Sequence, residues 1–315
     1  MHETEERLRL PDWLRRRPPK GKAVAILRET GLSSGAHTVC ESAKCPNRGE
    51  CYTRKTATFL LGGHVCTRTC TFCAIEYLPI PPLDPDEPRK VAQSVKAMGL
   101  EYVVLTMVNR DDLPDGAADH VVKTMAAIRD AVGDVPIEVL ASDFDGNLQS
   151  VQKVLYAKPV VFNHNIETVP RLYSQVRPQA IYERSLSILQ YAAAYSENIA
   201  DCRLQIADSH AIQSPIRNPQ SAIETKSGLM IGLGETDDEV FGVLRDLRAH
   251  GVSIVTIGQY LRPSSKHTPV MRYPTPEHFR MYRDEGMKLG FKAVFSHPFV
   301  RSSYHAKETL AGATS

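Results

Sequence analysis

The sequence has few of the features that assign a chain to a membrane or to a nucleic acid. No run of about 18 uncharged apolar residues occurs in it, so no segment is predicted to cross a membrane. The formal net charge of +2 over 315 residues is too small to argue for nucleic-acid binding. Internal repeats and low-complexity tracts are also lacking. These absences favour a globular protein with no membrane and no nucleic-acid partner.

A secretory signal is likewise missing ahead of the cysteines, and the first six residues are acidic, unlike an organelle transit peptide. Clustered cysteines without such a signal are typical of a reducing compartment, so we predict a cytoplasmic protein. The same reasoning disfavours a disulfide framework, because a chain of this length can also build its own hydrophobic core.

Six of the seven cysteines are concentrated between residues 40 and 73. They form a first triplet, Cys40, Cys45 and Cys51, and a second triplet, Cys66, Cys70 and Cys73. A closed zinc site needs four protein ligands, whereas each triplet stops at three. Three thiolates on a four-iron cluster leave one iron open for another ligand, so the C-x3-C-x2-C spacing of the second triplet favours an iron–sulfur cluster. Structural zinc remains the alternative on these residues alone.

From residue 57 onward, predicted strands alternate with predicted helices. The strands are expected at 57–62, 102–107, 136–140, 159–163, 226–231 and 253–258. The helices are expected near 87–98, 117–132, 147–157, 180–195, 236–250 and 276–289. Alternation of this kind builds a parallel sheet with helices outside it. The pattern alone fits both a partial barrel and a doubly wound open sheet.

The second triplet and its neighbours (CTRTCTFC, residues 66–73) resemble the signature of radical S-adenosylmethionine (SAM) enzymes, with Phe72 before the last cysteine. The first triplet, together with RSSY at 301–304, is similar to the lipoyl synthase family in particular. So are RDDLPDG at 110–116 and GLGET at 232–236. The similarity extends from about Trp13 to Tyr304. It implies an α/β fold, a partial (β/α)6 TIM-type barrel with N-terminal and C-terminal extensions.

The cofactors that the resemblance implies are two [4Fe-4S] clusters and SAM. The second triplet would hold the cluster whose open iron binds the amino and carboxylate groups of SAM. In the lipoyl synthase family the second serine of RSSY is the fourth ligand of an auxiliary cluster, which assigns Ser303 to the first triplet. An alkoxide is a harder and weaker ligand for iron than a thiolate, so Ser303 is expected to release iron more readily.

Candidate SAM contacts come from the carboxyl ends of the predicted strands, where a parallel barrel has its active site. Asn165 and Glu167 are suited to hydrogen bonding with a ribose. The glycine-rich segment 228–235 resembles the part of radical SAM enzymes that packs against adenine, which glycines allow to approach closely. The remaining candidate contacts are Phe72, Thr106, Arg184, Met230, Gln259 and Leu261.

Some of these polar residues have an ordinary structural alternative. Arg184 could pair with the SAM carboxylate or be a helix-surface arginine. The charged trio at 110–112 could belong to the site or form a surface salt-bridge cluster. His164 is predicted to be a core histidine with its hydrogen bonds satisfied.

The reaction that the resemblance implies is radical insertion of two sulfur atoms at C6 and C8 of an octanoyl group, with both sulfurs donated by the auxiliary cluster. The implied partners are octanoylated carrier domains of 2-oxoacid dehydrogenase E2 subunits and of the glycine cleavage H protein. A low-potential electron donor such as ferredoxin or flavodoxin is also implied. The alternatives are another radical SAM sulfur-inserting or methylthiolating enzyme, and a non-enzymatic scaffold with two structural metal sites.

Three parts of the chain are predicted. Residues 1–55 carry the auxiliary-cluster motif, 56–262 form the barrel, and 263–315 form a C-terminal extension with RSSY. Residues 199–224 are an insertion relative to the family, and its Cys202 is expected to be a plain thiol. The basic segment 15–22 is interpreted as a solvated arm, with contact to an acidic protein partner as the alternative.

Overall fold

A computed structural model of the chain describes residues 9–15, 35–42, 45–75, 77–206 and 223–303, with the backbone alone for 197–206. Most of the basic segment 15–22, most of the insertion 199–224, the side chain of Cys202 and Tyr304 lie outside the described residues. The strands of the described ranges are β1 Thr56–Leu61, β2 Tyr102–Met107, β3 Ile137–Leu140, β4 Val161–Asn163, β5 Glu224–Ile231, β6 Ile254–Gln259 and β7 Ala293–Ser296. The α-helices are α1 Val39–Ser42, α2 Arg48–Thr53, α3 Glu87–Met98, α4 Ala118–Val132, α5 Leu148–Tyr156, α6 Tyr173–Val176, α7 Tyr182–Ile206, α8 Asp237–Ala249 and α9 Pro276–Lys288.

The seven strands form one sheet in which every neighbouring pair is parallel and follows the chain order from β1 to β7. A doubly wound sheet reverses its strand order at a switch point, so this sequential order supports the partial barrel. The sheet has one strand more than predicted. Because β7 and α9 lie within 263–315, the sheet continues past residue 262.

Two helix ends show how the sequence starts and stops a helix. At the start of α8 the Thr236 hydroxyl accepts from Glu239 N at 3.3 Å, and the Glu239 carboxylate accepts from Thr236 N at 2.8 Å. This reciprocal pair is a capping box. At the end of α3, Gly99 adopts a left-handed conformation (φ 56°), which stops the helix. No helix in the described ranges is long and apolar enough to cross a membrane.

The two faces of the sheet differ in chemistry. Val103 and Leu105 belong to a core with the outer helices, whereas Tyr102 and Val104, which alternate with them, face the inside of the barrel. On that inner side Lys226 Nζ lies 3.0 Å from Glu138 Oε1, and both side chains are fully buried. The interior beneath the carboxyl ends of the strands is therefore polar and ionic.

Candidate active site at the carboxyl ends of the strands

The second triplet lies on the loop that follows β1. Gly62 and Gly63 turn the chain there with φ of 83° and 95°, a region that favours glycine. Thr67 N then donates to Asn109 O at 3.1 Å, beyond β2, and Thr71 N donates to Val176 O at 3.0 Å, at the end of α6. A further hydrogen bond joins Thr268 N to Thr71 O at 3.0 Å. Three separate segments therefore hold this loop.

The thiols of the second triplet are free and partly buried. Cys66 Sγ accepts from Asn109 N at 3.3 Å and from Arg68 N at 3.5 Å, contacts that suit a thiolate. Burial raises the pKa of Cys70, with Arg177 opposing the shift, and burial raises the pKa of Cys73 to about 12. Burial thus favours the protonated thiols of Cys70 and Cys73, and a bound metal would supply the positive charge that favours their thiolates.

The first triplet lies at the outer edge of β1. Thr38 forms an antiparallel bridge with Phe59, and Leu60 N donates to His37 O at 2.9 Å. The short helices α1 and α2 that follow carry the first and last cysteines of the triplet. Burial raises the pKa of Cys40 to about 11 and that of Cys51 to about 12. Burial therefore favours the protonated thiols of Cys40 and Cys51, as it does for Cys70 and Cys73.

Residues 297–303, here called the C-terminal arm, connect the two regions. The arm is joined to β6 by His297 N to Ile257 O at 3.1 Å and by Gln259 N to Pro298 O at 3.3 Å. Asn47 Nδ2, from the segment of the first triplet, donates to Phe299 O at 2.6 Å. Further on, Ser302 Oγ accepts from Asn165 Nδ2 at 2.5 Å. The arm that carries Ser303 therefore contacts both the first-triplet segment and the residues after β4.

Asn165 and Glu167 are brought together at the end of β4. Asn165 Nδ2 also donates to Glu167 Oε1 at 3.1 Å, and Glu167 is joined to β5 by a hydrogen bond from Met230 N at 2.9 Å. The other side-chain atom of the amide, Asn165 Oδ1, is buried and has no partner. A Cβ added to Gly228 would lie 2.9 Å from it. A side chain at position 228 would crowd this oxygen, so the glycine keeps it accessible. A free, buried acceptor of this kind fits a ligand that donates a hydrogen bond, as a ribose hydroxyl does.

Gln259 provides a second such acceptor at the end of β6. Its Nε2 donates to Ile231 O and Tyr260 O, both at 3.0 Å, while its buried Oε1 has no partner. The other predicted SAM contacts lie along the same edge of the sheet. Phe72 and Met230 pack against one hydrophobic cluster, and Thr106 and Leu261 are half-buried at the ends of β2 and β6.

Arg184 is already paired in this structure. Its Nε donates to Asp143 Oδ2 at 2.8 Å, and its Nη1 pairs with Asp145. Its role toward the SAM carboxylate stays a prediction, and to bind that carboxylate Arg184 would have to release Asp143 or Asp145.

His164 is confirmed as a core histidine: its ring nitrogens lie 3.0 Å from Ala141 O and from Ser185 Oγ. Burial, with the charge of Arg177 adding, lowers the pKa of His164 to about 4.

Arg177 is a site residue that the sequence reasoning missed. It is buried, and its Nη1 donates to the carbonyls of Asn165 at 3.1 Å and Ile166 at 3.0 Å. Its Nε is buried without a partner, and its charge acts on Cys70. Nothing in the sequence around Arg177 distinguishes it from a surface arginine. Its position beside both the second triplet and Asn165 makes it part of the candidate site.

The residues present fit an iron–sulfur cluster better than a single ion. No three His, Cys, Asp or Glu side chains in the described ranges gather closely enough to hold one metal ion. On a four-iron cluster each cysteine binds a different iron, so the three thiols need not converge on one point. Each triplet supplies three free thiols. The unpartnered acceptors of Asn165 and Gln259 lie at the same edge of the sheet, where a nucleoside would find them.

A parallel barrel with three cysteines on the loop after its first strand defines the class of protein: the chain is a radical SAM enzyme. Residues 60–204 match the Radical SAM superfamily, which implies SAM and a [4Fe-4S] cluster as cofactors. The lipoyl synthase of Rubrobacter xylanophilus is 47% identical over 298 residues, covering 95% of this chain and 85% of that protein. The lipoyl synthase of Chlorobium limicola is 48% identical over 308 residues, covering 97% of both. The chain therefore belongs to the lipoyl synthase family, which confirms the resemblance found in its motifs.

Solved structures of more distant enzymes share the fold. Methylornithine synthase superposes with a TM-score of 0.51 at 13% identity, over 85% of this chain and 73% of that one. The FeFe-hydrogenase maturase HydG from Carboxydothermus hydrogenoformans superposes with a TM-score of 0.55 at 16% identity, over 91% and 65% of the two chains. Both support the TIM-barrel-like architecture.

Proposed function

We propose that the protein inserts two sulfur atoms, at C6 and C8, into an octanoyl group bound to a lysine of a lipoyl carrier domain. The observation that supports this most is the course of the C-terminal arm. Through Asn47 the arm contacts the segment of the first triplet, and through Ser302 it contacts Asn165 at the proposed SAM site. The sulfur donor and the hydrogen-abstracting centre must act on the same octanoyl group. The residues that hold them must therefore face one common substrate site.

A saturated acyl chain has no proton that an acid or base of the protein could move. When bound, a [4Fe-4S] cluster on the second triplet with SAM would supply a 5′-deoxyadenosyl radical, and an auxiliary [4Fe-4S] cluster on the first triplet and Ser303 would supply the sulfur. The protein's own contribution is to bind, to orient and to exclude water.

The described residues divide that work among them. Asn165 would accept a ribose hydroxyl through its free Oδ1, because both hydrogens of its Nδ2 are used by Glu167 and Ser302. Gln259 would accept a second donor through its free Oε1. Phe72 and Met230 would form the apolar wall beside the base, since they pack on the same cluster.

The proposed acceptors are octanoylated carrier domains, those of 2-oxoacid dehydrogenase E2 subunits and of the glycine cleavage H protein. The proposed electron donor is a ferredoxin or a flavodoxin. The basic segment 15–22, most of which lies outside the described residues, is interpreted as a solvated arm, and contact with an acidic partner stays the alternative.

The mass of the carrier domain tests the proposal directly. Anaerobically reconstituted protein would be mixed with SAM, a reductant and an octanoylated carrier domain, and the carrier would then be weighed by mass spectrometry. We expect a gain of two sulfur atoms with loss of the hydrogens they replace. A carrier of unchanged mass, with 5′-deoxyadenosine in solution, would keep the radical SAM class and overturn the substrate.

Two variants separate the roles of the triplets. Cys70→Ala should abolish formation of 5′-deoxyadenosine, because the second triplet then has too few ligands. Cys45→Ala should still cleave SAM and yet form no lipoyl product. A Cys45→Ala variant that makes lipoyl product would show that the first triplet is not the sulfur donor's site.

A further inference from the structure

Arg68 lies on the loop of the second triplet, between Cys66 and Cys70, and is nevertheless only 6% exposed. Its guanidinium forms a two-point contact with Asp111, Nε to Oδ2 and Nη2 to Oδ1, both at 2.8 Å. It forms a second two-point contact with Asp143, Nη1 to Oδ2 at 2.9 Å and Nη2 to Oδ1 at 2.7 Å. One side chain of the loop is thus held between two carboxylates.

The two carboxylates come from different strand ends. Asp111 follows β2 and also accepts from Thr67 Oγ1 at 2.8 Å. Asp143 follows β3, is fully buried, and is shared with Arg184. The loop after β1 is therefore joined to the next two strand ends through Arg68. Asp111 belongs to the RDDLPDG segment, for which the reaction itself gives no role.

A guanidinium that contacts carboxylates at two points fixes the orientation of its segment as well as its position. Such a constraint matters before iron arrives, because the three cysteines of the loop are free thiols with no covalent link between them. Between the first two cysteines, Thr67 N donates to Asn109 O, and Thr69 N donates to the side chain of Gln179 at 3.2 Å on an exposed site. Arg68 adds the contact there that is both buried and charged.

We propose that Arg68 is a positioning residue that holds the second triplet in its cluster-binding arrangement in the metal-free protein. The inference rests on the proposed function only in taking Cys66, Cys70 and Cys73 as the cluster ligands. Cluster assembly would then begin on an ordered loop, and loss of Arg68 would act on the second triplet and leave the first unaffected.

Thiol alkylation of the metal-free, reduced protein tests this. Iodoacetamide labelling of each cysteine would be followed by peptide mass spectrometry in the wild type, Arg68→Met and Arg68→Lys. Removing one member of a buried charge pair is strongly destabilising, so we expect the second triplet to be labelled at least about tenfold faster in Arg68→Met. Arg68→Lys keeps the positive charge but cannot make the two-point contacts, so its labelling rate should lie between those of the wild type and Arg68→Met. The first triplet is the internal control and should keep its wild-type rates.

Arg171→Met is the matched control on another part of the chain. Arg171 makes the same kind of two-point contact, with Glu239 at 2.7 and 2.9 Å, but on an exposed site that does not involve the loop. Arg171→Met should leave the labelling rates of both triplets at their wild-type values. On reconstitution with iron and sulfide, Arg68→Met should bind the iron of the first triplet and take up that of the second more slowly, as followed by absorbance and EPR.

Equal labelling rates in Arg68→Met and the wild type would overturn the proposal. So would an equal rise at both triplets, which would indicate loss of the whole fold. These outcomes are independent of the proposed reaction. If the wild type formed no lipoyl product while Arg68→Met still exposed the second triplet selectively, the positioning role would stand and the substrate assignment would fail.

Discussion

The buried ion pair inside the barrel allows a quantitative prediction. Lys226 Nζ lies 3.0 Å from Glu138 Oε1, and neither side chain is exposed. Glu138 also accepts from Asn163 Nδ2 at 2.9 Å and from Tyr102 OH at 3.2 Å. Lys226→Met keeps an unbranched side chain that is shorter by the terminal nitrogen, and it removes the charge. The carboxylate would be left in the interior with two neutral donors.

The expected loss in free energy of unfolding can be worked out by assuming that Glu138 takes up a proton in the folded variant, which removes its unpaired charge. For an ordinary glutamate, which titrates near pH 4.3, this costs about 1.4 kcal/mol for each pH unit above that value. The free energy of unfolding should therefore fall by about 4 kcal/mol at pH 7 and by only about 1 kcal/mol at pH 5. The first value lies within the range of about 3–5 kcal/mol for breaking a buried pair.

Urea denaturation of the metal-free protein, followed by circular dichroism at pH 7 and pH 5, measures both values. Lys55→Met is the matched control, since Lys55 pairs with Glu101 at 2.8 Å on the surface and should contribute little. The double variant Glu138→Gln/Lys226→Met should recover much of the stability, because a neutral amide needs no cation. A deficit in Lys226→Met that equals that of Lys55→Met, or that is the same at both pH values, would refute the reasoning.

Three further variants test other parts of the structure. In Gly258→Ala the new Cβ would lie 2.1 Å from Val300 O, so the C-terminal arm must move. We expect loss of iron at the first triplet and, because Ser302 of the arm contacts Asn165, a smaller loss of SAM cleavage. Gly242→Ala, whose Cβ has its nearest neighbour at 4.0 Å, is the control. Thr236→Ala removes the capping box of α8 and should lower the free energy of unfolding by about 1 kcal/mol in urea, and an unchanged midpoint would contradict this. Burial alone would raise the pKa of Asp143, but the hydrogen bonds and charge of Arg68 outweigh it and lower that pKa to about 2. Because the folded-state pKa is depressed, this stabilisation is present above about pH 4 and is lost as the pH falls toward 2, so Asp143→Asn should flatten the acid side of a stability profile.

Strand positions were predictable because most strands are short apolar runs that become fully buried. The run predicted at 102–107 coincides with β2, and the one at 57–62 differs from β1 by a single residue at each end. The last strand was missed because β7 has only four residues, of which the final two are half-buried. The two cysteine triplets are visible in the sequence because residue type and separation need no knowledge of the fold, and their role as cluster ligands stays a prediction.

The polar contacts that complete the site were beyond the sequence because their partners are far apart along the chain. Asn165 and Ser302 are separated by 137 positions, and Lys226 and Glu138 by 88. The strand was predicted at 226–231, whereas β5 begins at Glu224, and Lys226 lies opposite Asn163 inside the barrel. Only the register of parallel strands turns such residues toward a common interior. A charged residue within a short apolar run, as Glu138 is between Ile137 and Val139, is the local signal that predicts an interior partner of opposite charge, because a carboxylate buried there without a cation would cost the fold several kcal/mol.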